Sequence, residues 1–183
     1  TRRSITYTAF NIRLHPHTSM KYVELMERIF ALKRQVKLRG DTYAILTQVT
    51  KLHGDAESGL FGEIAKYTKI EESNGWFNLQ ELRAAEDYET RKIQIPNELK
   101  PNFKNFNFVF YPKNHYLIIE CHDKFGSISP RLIERYFSSI FSSKEIVNEF
   151  NEVEITQFSE VLHLCFITSP KFCLLCSRDF QRC

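Results

Sequence analysis

The segment from residue 105 to residue 122 constrains the fold more than any other part of the sequence. Apolar residues alternate with other residues on both sides of a short turn: Phe106, Phe108, Phe110, Leu117, Ile119 and Cys121. A period of two places alternate side chains on one face of a strand, and a short turn joins antiparallel strands. The sequence therefore predicts a β-hairpin with strands at 105–111 and 115–122 and one buried face.

Two stretches carry the 3.6-residue spacing of amphipathic helices. The first begins after Thr18 or Ser19 and is predicted to run to about Val36. The second begins at Ser129-Pro130, a favourable start for a helix, and a shorter third helix is predicted to end near Phe150. The apolar positions of the two long helices are Tyr22, Leu25, Met26, Ile29, Leu32, Val36, Leu132, Ile133, Tyr136, Phe137, Ile140 and Phe141.

The remaining β-forming segments complete a predicted order of β-α-β-β, an acidic insert, and β-β-α-β. The further strands are expected at 4–14, 43–52, 60–70 and 152–158. The apolar positions change phase within the first strand, which indicates a bulge or burial on both faces. One helix in each half is expected to cover a mainly antiparallel sheet, so the predicted fold class is α+β with two layers.

The predicted domain covers residues 1–158 and contains an acidic, irregular insert at 71–95. Trp76, Phe77 and Leu79 are expected to attach this insert to the core. Residues 159–183 form an apolar, cysteine-rich segment that either packs on the sheet or mediates self-association. Four of the five cysteines lie there: Cys165, Cys173, Cys176 and Cys183.

The cysteine spacing does not predict a metal site. A structural zinc site usually combines two paired ligand motifs, and the sequence has one Cys-x-x-Cys motif, Cys173 and Cys176. We therefore expect reduced thiols, no metal and no cofactor. Two other ligand sets are weak. Asp41, Glu63 and Lys66 fail because Glu63 and Lys66 point to opposite faces of a strand. Of Glu120, His122 and Asp123, the first two share a face, but two ligands make a weak site.

The net charge of +3 hides a segregation of charge along the chain. Residues 1–53 carry ten Lys or Arg against three acidic residues, whereas residues 54–90 carry three against nine. Such segregation is typical of a basic surface for a polyanion, or of an acidic segment that contacts the basic one or a protein partner. Interleaving of the two charges in the folded chain is the alternative.

A histidine-rich motif follows the first predicted strand. Arg13, His15 and His17 lie close together before the first helix. Two imidazoles provide acid–base chemistry near neutral pH, and an arginine stabilises charge on a phosphodiester. The motif is also consistent with an anion contact at the helix N-terminus or with a solvated turn around Pro16.

A basic run lies at the end of the first predicted helix. It contains Lys33, Arg34, Lys37 and Arg39. Lysine and arginine are favourable at a helix C-terminus, but Lys37 and Arg39 continue at alternating positions beyond it and favour phosphate contacts. The segment 104–111 is similar to the aromatic strand of RNA-recognition motifs, but its spacing to a partner strand is wrong, so its phenylalanines are predicted to be core residues.

Several segments resemble an uncharacterised bacterial family of unknown function. The resemblance spans residues 5–157 and implies a bacterial, cytoplasmic protein, in a phage-defence or mobile-element context, without an activity to transfer. It rests on these segments: Asn-Ile-Arg-Leu-His-Pro-His (11–17), Arg-Gly-Asp-Thr-Tyr (39–43), Gly-Leu-Phe-Gly-Glu-Ile (59–64), Trp-Phe-Asn-Leu (76–79), Lys-Pro-Asn-Phe (100–103), Phe-Val-Phe-Tyr-Pro-Lys (108–113) and Ser-Ile-Ser-Pro (127–130).

Together these patterns predict a protein that binds RNA or single-stranded DNA without catalysis. No apolar run approaches the roughly 20 residues of a membrane-spanning helix, so no membrane contact is expected. A metal-independent nuclease with His15 and His17 as acid and base is one alternative, and a protein-interaction subunit that docks through the acidic insert or the C-terminal segment is another. The predicted nucleic-acid contacts are Arg13, His15, His17, Lys33, Arg34, Lys37 and Arg39.

Overall fold

The fold is given by a computed structural model that describes residues 3–70, 75–123, 126–158 and 162–166. It is a mixture of helices and strands, which confirms the predicted α+β class. The helices are α1 (Ser19–Leu32), α2 (Asp87–Thr90), α3 (Pro130–Phe141) and α4 (Lys144–Phe150). The strands are β1 (Arg3–Leu14), β2 (Val36–Arg39), β3 (Thr42–Lys51), β4 (Leu60–Thr68), β5 (Phe77–Asn78), β6 (Arg83–Ala84), β7 (Lys104–Tyr111), β8 (Tyr116–Asp123), β9 (Gly126–Ser127), β10 (Val153–Gln157) and β11 (Leu162–Phe166).

Nine strands of the described chain form one antiparallel sheet. Seven of them follow the spatial order β10-β1-β8-β7-β4-β3-β2, while β11 pairs with β1 and β9 pairs with β8. The predicted hairpin is formed by β7 and β8, with Phe108 opposite Ile119 and Phe110 opposite Leu117. Antiparallel pairing therefore dominates the sheet, as the sequence predicts.

The first strand, β1, pairs with two different strands along one of its edges. Residues 3–7 of β1 pair with β11, and residues 10–14 pair with β10. On the other edge, the register against β8 shifts between Thr6 and Tyr7. The extra residue at this shift is Cys121 on β8, so it is not a bulge of β1. Thr8, Ala9 and Phe10 are buried in succession, which agrees with burial on both faces, the other structure that the change of apolar phase indicates.

One hydrophobic core joins the long helices to the sheet. The three alternating phenylalanines of β7 belong to it and are almost fully buried. Helix α3 contacts both β2 and β10, which stand at opposite ends of the strand order, so the sheet curls around this helix. The buried helix positions are Tyr22, Val23, Leu25, Met26, Ile29, Ile133, Tyr136, Phe137, Ile140, Phe141, Ile146 and Phe150.

The first helix ends earlier than predicted, and the residues after it form a strand. Lys33 has the left-handed φ of 45°, and its N–H donates to the Phe30 carbonyl, which ends α1 after Leu32. From Val36 onward, buried and exposed side chains alternate along β2. The predicted helix end at Val36 was wrong. A buried Val36 fits both the 3.6-residue spacing of the preceding helix and the two-residue alternation of a strand, so the spacing could not separate the two. The predicted element order also lacks β9 and β11.

The acidic insert is more ordered than predicted. It contains a two-stranded ribbon of β5 and β6, followed by α2. The expectation that its apolar residues attach to the core is wrong for Phe77 and Leu79, which are 61% and 78% exposed. Part of its negative charge is neutralised within the insert, where Arg83 forms ion pairs with three carboxylates: Glu81, Glu86 and Glu89.

The C-terminal segment 159–183 is described only at β11, whose backbone pairs with the beginning of β1. Cys173, Cys176 and Cys183 lie outside the described residues, and so does the prediction of reduced thiols there. Cys121 is a free, buried cysteine, and burial raises the pKa of its thiol to about 12. Within the described ranges, no three metal-binding side chains form a group and no helix is long and apolar enough to cross a membrane.

Candidate nucleic-acid interface

Basic and aromatic side chains meet at the corner of the sheet formed by β2, β3 and β4. Cross-strand pairing places Lys37 opposite Tyr43 and Tyr43 opposite Tyr67. The two tyrosine rings are nearly parallel, with planes 15° apart and centroids 6.3 Å apart. The ammonium nitrogens of Lys37 and Lys69 lie 5.9 Å and 5.6 Å from the centre of the Tyr43 ring. These four residues, with Arg39 on β2, form what we call the basic corner.

The positive charges of the basic corner are available to an anion. Lys37 and Arg39 are exposed, while Tyr43 is half-buried. Among the residues that the structure describes, Lys37, Arg39 and Lys69 make no ion pair with a carboxylate. Cations beside an aromatic face are the groups that proteins use for phosphates and unstacked bases.

A cleft of about 270 Å³ opens beside the basic corner and carries two further lysines. Lys66 on β4 is paired with Lys104 on β7. The Lys66 ammonium donates to the carbonyl oxygen of Ser127. Burial, and then the charge of Lys104, lower the pKa of Lys66. Tyr67 lines this lysine cleft as the neighbour of Lys66 on β4. Because successive side chains of a strand point to opposite faces, the lysine cleft and the ring of Tyr43 lie on opposite faces of the same end of the sheet.

Three imidazoles and a tyrosine meet at the other end of β7, where β1 ends and α1 begins. The ring centroids of His15 and His17 are 4.3 Å apart, and those of His17 and His115 are 5.1 Å apart. His115 precedes β8 and stacks on Tyr22, with centroids 4.4 Å apart. We call these four residues the histidine cluster.

Tyr22 sets the orientation of His17 within the histidine cluster. The buried Tyr22 hydroxyl accepts from the Leu14 N–H at 2.9 Å, donates to the Leu14 carbonyl oxygen at 3.4 Å and lies 2.9 Å from Nδ1 of His17. This contact turns Nδ1 of His17 toward Tyr22. Nε2 is then the nitrogen on the far side of the ring from Tyr22.

The surroundings of His115 shift its pKa. Burial, and then the nearby His17, lower the pKa of His115 from its ordinary value of 6.5. The folded protein therefore keeps this imidazole neutral at a pH where the unfolded chain already binds a proton. A neutral imidazole is the form that accepts a proton in general-base chemistry.

We expect this shift to make the protein less stable in mild acid. As pH falls from about 7.5 through 6.5, the unfolded state binds a proton at residue 115 before the folded state does, so the free energy of unfolding decreases. His115→Asn should remove this part of the pH dependence, and asparagine tolerates the left-handed φ of 62° at this position. Urea unfolding at several pH values measures the effect. His122→Asn, which changes an exposed histidine, is the control. If the free energy of unfolding of His115→Asn depended on pH as it does in the wild-type protein and in this control, the expectation would be contradicted.

The structure divides the predicted contacts into separate groups. His15 and His17 belong to the histidine cluster, and Arg13 precedes them on β1, where its guanidinium lies 3.8 Å from a Glu154 carboxylate oxygen. These residues stand before α1, and the basic run stands after it. The 14-residue helix places about 20 Å between the two groups. A single compact surface that contains all the predicted residues is therefore not present.

The basic run is itself divided by the start of β2. Lys37 and Arg39 lie in the basic corner. Lys33 ends α1, and Arg34 lies 3.4 Å from a carboxylate oxygen of Glu145 on α4. The alternation of basic residues along the sequence therefore identified Lys37 and Arg39, which lie in the basic corner. Lys33 and Arg34 follow instead the preference for basic residues at the C-terminal end of a helix.

The candidate sites also contain residues that sequence analysis missed or assigned elsewhere. His115 completes the histidine cluster through the β7–β8 hairpin, about one hundred positions along the chain from His15. The others join through the pairing of β2, β3, β4 and β7, which the periodicity within a single segment does not reveal. They are Tyr43, Lys66, Tyr67, Lys69 and Lys104.

The weaker ligand sets have structural roles. One carboxylate oxygen of Glu120 accepts hydrogen bonds from the backbone N–H and the side-chain amide of Asn107, at 3.3 and 3.1 Å. Glu63 accepts from the side chain of Asn105 on β7. These carboxylates therefore hold neighbouring strands together, and the phenylalanines of β7 are core residues as predicted.

Comparison with known proteins identifies a family and no activity. A family model described as "Domain of unknown function (DUF4747)" matches residues 3–162 of the chain. No curated protein and no solved structure matches the sequence significantly. The match covers most of the chain, including the basic corner, the lysine cleft and the histidine cluster.

Proposed function

The chain belongs to the DUF4747 family of unknown function, and we propose from its own geometry that it binds single-stranded nucleic acid, RNA or DNA, through the basic corner. The observation that carries this proposal is the position of Lys37 and Lys69, both within 6 Å of the Tyr43 ring centre. Lysine charge supplies affinity for the phosphate backbone, and an aromatic ring supplies a stacking surface for a base.

The combination of charge and aromatic surface favours a single strand over a duplex. Bases in a duplex are stacked on each other, so an aromatic side chain contacts a base face only where the strand is unpaired. Tyr43 is positioned for this contact because its ring is half-buried on the sheet and flanked by cations. Stacking contributes about 1–3 kcal/mol per base and tolerates any sequence, so we expect little sequence preference.

Two double variants with the same loss of charge test the proposal. Lys37→Ala/Arg39→Ala removes two cations of the basic corner, and Lys33→Ala/Arg34→Ala removes two cations from the neighbouring helix end. The corner variant should weaken binding to a short single-stranded RNA and reduce the slope of log affinity against log salt by about 1.4, the value for two phosphate contacts on a single strand. Fluorescence anisotropy across roughly 50–200 mM salt measures both quantities.

The control variant should keep the slope of the wild-type protein. An equal loss in both variants would mean that net charge alone drives binding, and it would refute the basic corner as the site. An unchanged affinity in the corner variant would refute it as well. Circular dichroism of both variants checks that the fold is retained.

The histidine cluster favours a second candidate function, cleavage of RNA without a metal ion. The specific observation is the approach of His115 to His17, which places two imidazoles beside each other. His115 is suited to accept the proton of the ribose 2′-hydroxyl, because burial favours its neutral form. His17 is suited to donate a proton to the leaving oxygen.

The proposed cleavage is an internal transfer at phosphorus. As the 2′-hydroxyl loses its proton to His115, its oxygen attacks the phosphorus and the bond from phosphorus to O5′ breaks. Protonated His17 gives its proton to O5′, so the products are a 2′,3′-cyclic phosphate and a 5′-hydroxyl end. Arg13 stabilises the charge that develops on the phosphoryl oxygens, because its exposed contact with Glu154 is weak enough to exchange for a phosphate.

A further inference from the structure

Lys66 and Lys104 stand directly opposite each other on β4 and β7, at the lysine cleft. Like charges at directly opposite positions of an antiparallel pair destabilise a sheet. Neither lysine makes an ion pair with a carboxylate in the part of the chain that the structure describes. An anion bound between the two ammonium groups would remove this repulsion and would gain from both charges.

Both lysine side chains are held in place before any ligand arrives. The Lys66 ammonium uses one of its three protons on the Ser127 carbonyl, which leaves two for an anion. The Lys104 stem lies against Gly126, where an added Cβ would come within 3.1 Å of two Lys104 carbons. The missing side chain at Gly126 therefore makes room for Lys104. Such prior ordering lowers the entropy that binding costs.

The cleft also offers hydroxyl donors beside the ammonium groups. Thr42 and Thr68 line it and are paired across β3 and β4. The Thr68 hydroxyl oxygen accepts from the Asn102 side-chain amide at 3.1 Å, so its own proton remains available to a ligand. A site of two ammonium groups and hydroxyl donors suits an oxyanion with several acceptor oxygens.

We propose that the lysine cleft binds the terminal phosphate monoester of the single strand that the basic corner holds, an inference that rests on the proposed function. A phosphate monoester carries a charge of about −1.5 to −2 at neutral pH, which matches two lysines better than the single charge of an internal phosphodiester. The volume of about 270 Å³ is small for a whole drug-sized ligand and suits a phosphate group. The strand that Tyr43 holds on one face would reach the cleft on the other face by passing around the end of β3 and β4, where Thr42 is paired with Thr68.

Three RNAs of the same sequence test this assignment: one with a 5′-phosphate, one with a 3′-phosphate and one with hydroxyl groups at both ends. The wild-type protein should bind one phosphorylated form roughly 10- to 100-fold more tightly than the hydroxyl form, as expected for one or two charge-assisted hydrogen bonds. Lys104→Gln should remove this preference and keep the affinity for the hydroxyl form. Lys37→Ala/Arg39→Ala should weaken binding of all three RNAs and keep the preference.

Protection of Lys66 from acylation provides a measurement that needs no variant. Its lowered pKa makes this amine reactive at mildly alkaline pH, and the phosphorylated RNA should protect it while the hydroxyl form does not, as mapped by mass spectrometry. Equal binding of the three RNAs would overturn the inference and leave the proposed function standing. Equal protection by a nucleoside monophosphate and by the phosphorylated RNA would also overturn it, because the ligand would then be a free nucleotide. If the wild-type protein bound none of the three RNAs, the proposed function itself would be refuted.

Discussion

Replacing His17 or His115 with alanine should reduce metal-independent RNA cleavage by roughly 10²–10⁴-fold, the usual contribution of a general acid or base. The reason is that the two imidazoles, 5.1 Å apart between ring centroids, have different tasks. Loss of His115 removes the proton acceptor, and loss of His17 removes the proton donor. Cleavage of a labelled RNA in the presence of a chelator measures the rates, and an RNA with a 2′-deoxy group at the cleaved position should remain intact.

Two further variants separate catalysis from other effects on the histidine cluster. His122→Ala changes an exposed histidine on β8 and should cleave at the wild-type rate. Tyr22→Phe removes the hydroxyl that orients His17, so it should reduce cleavage less than His17→Ala and change the pH profile. Absence of cleavage by the wild-type protein in a chelator, or equal cleavage by His17→Ala, would refute the second candidate function. Retained cleavage in every variant would identify a contaminating nuclease.

Much of the fold follows from local periodicity. The β7–β8 hairpin and the stripes of α1 and α3 were predictable because each involves residues close in sequence, whose spacing alone determines a buried face. The four-residue strand β2 was not, because Val36 continues the helical stripe that precedes it. The position of β1 between β8, β10 and β11 depends on pairing across more than one hundred residues, and no local pattern encodes such a register.

The candidate sites divide in the same way. His15 and His17 were predictable because they are two residues apart, and Lys37 with Arg39 because they alternate on one strand. The lysine cleft was not, since Lys66 and Lys104 meet only after β4 and β7 pair. Sequence analysis identified fragments of each site, and antiparallel pairing of distant strands completes them.

Gly62 is a position on the sheet where one added methyl group should cost much stability. It lies on β4 opposite Phe108, and a Cβ there would be 2.8 Å from the carbonyl oxygen of Gln48 and closer still to the Phe108 ring. The ring cannot move aside easily, because it is buried and packs edge-on against Phe137 with centroids 6.4 Å apart. Gly62→Ala should therefore lower the free energy of unfolding by about 3 kcal/mol, as overpacked cores do.

Chemical unfolding of Gly62→Ala, with Gly75→Ala as the matched control, measures this cost. A Cβ at Gly75 meets no atom within 4 Å, so the control should stay within about 0.5 kcal/mol of the wild-type protein. Phe108→Leu shortens the side chain that the new methyl group would meet, so the double variant should be more stable than the sum of the single effects. Two results would contradict this expectation: Gly62→Ala is as stable as the wild-type protein, or the free-energy changes of Gly62→Ala and Phe108→Leu simply add in the double variant. Either result would mean that β4 and β7 are further apart at Gly62 than in this fold.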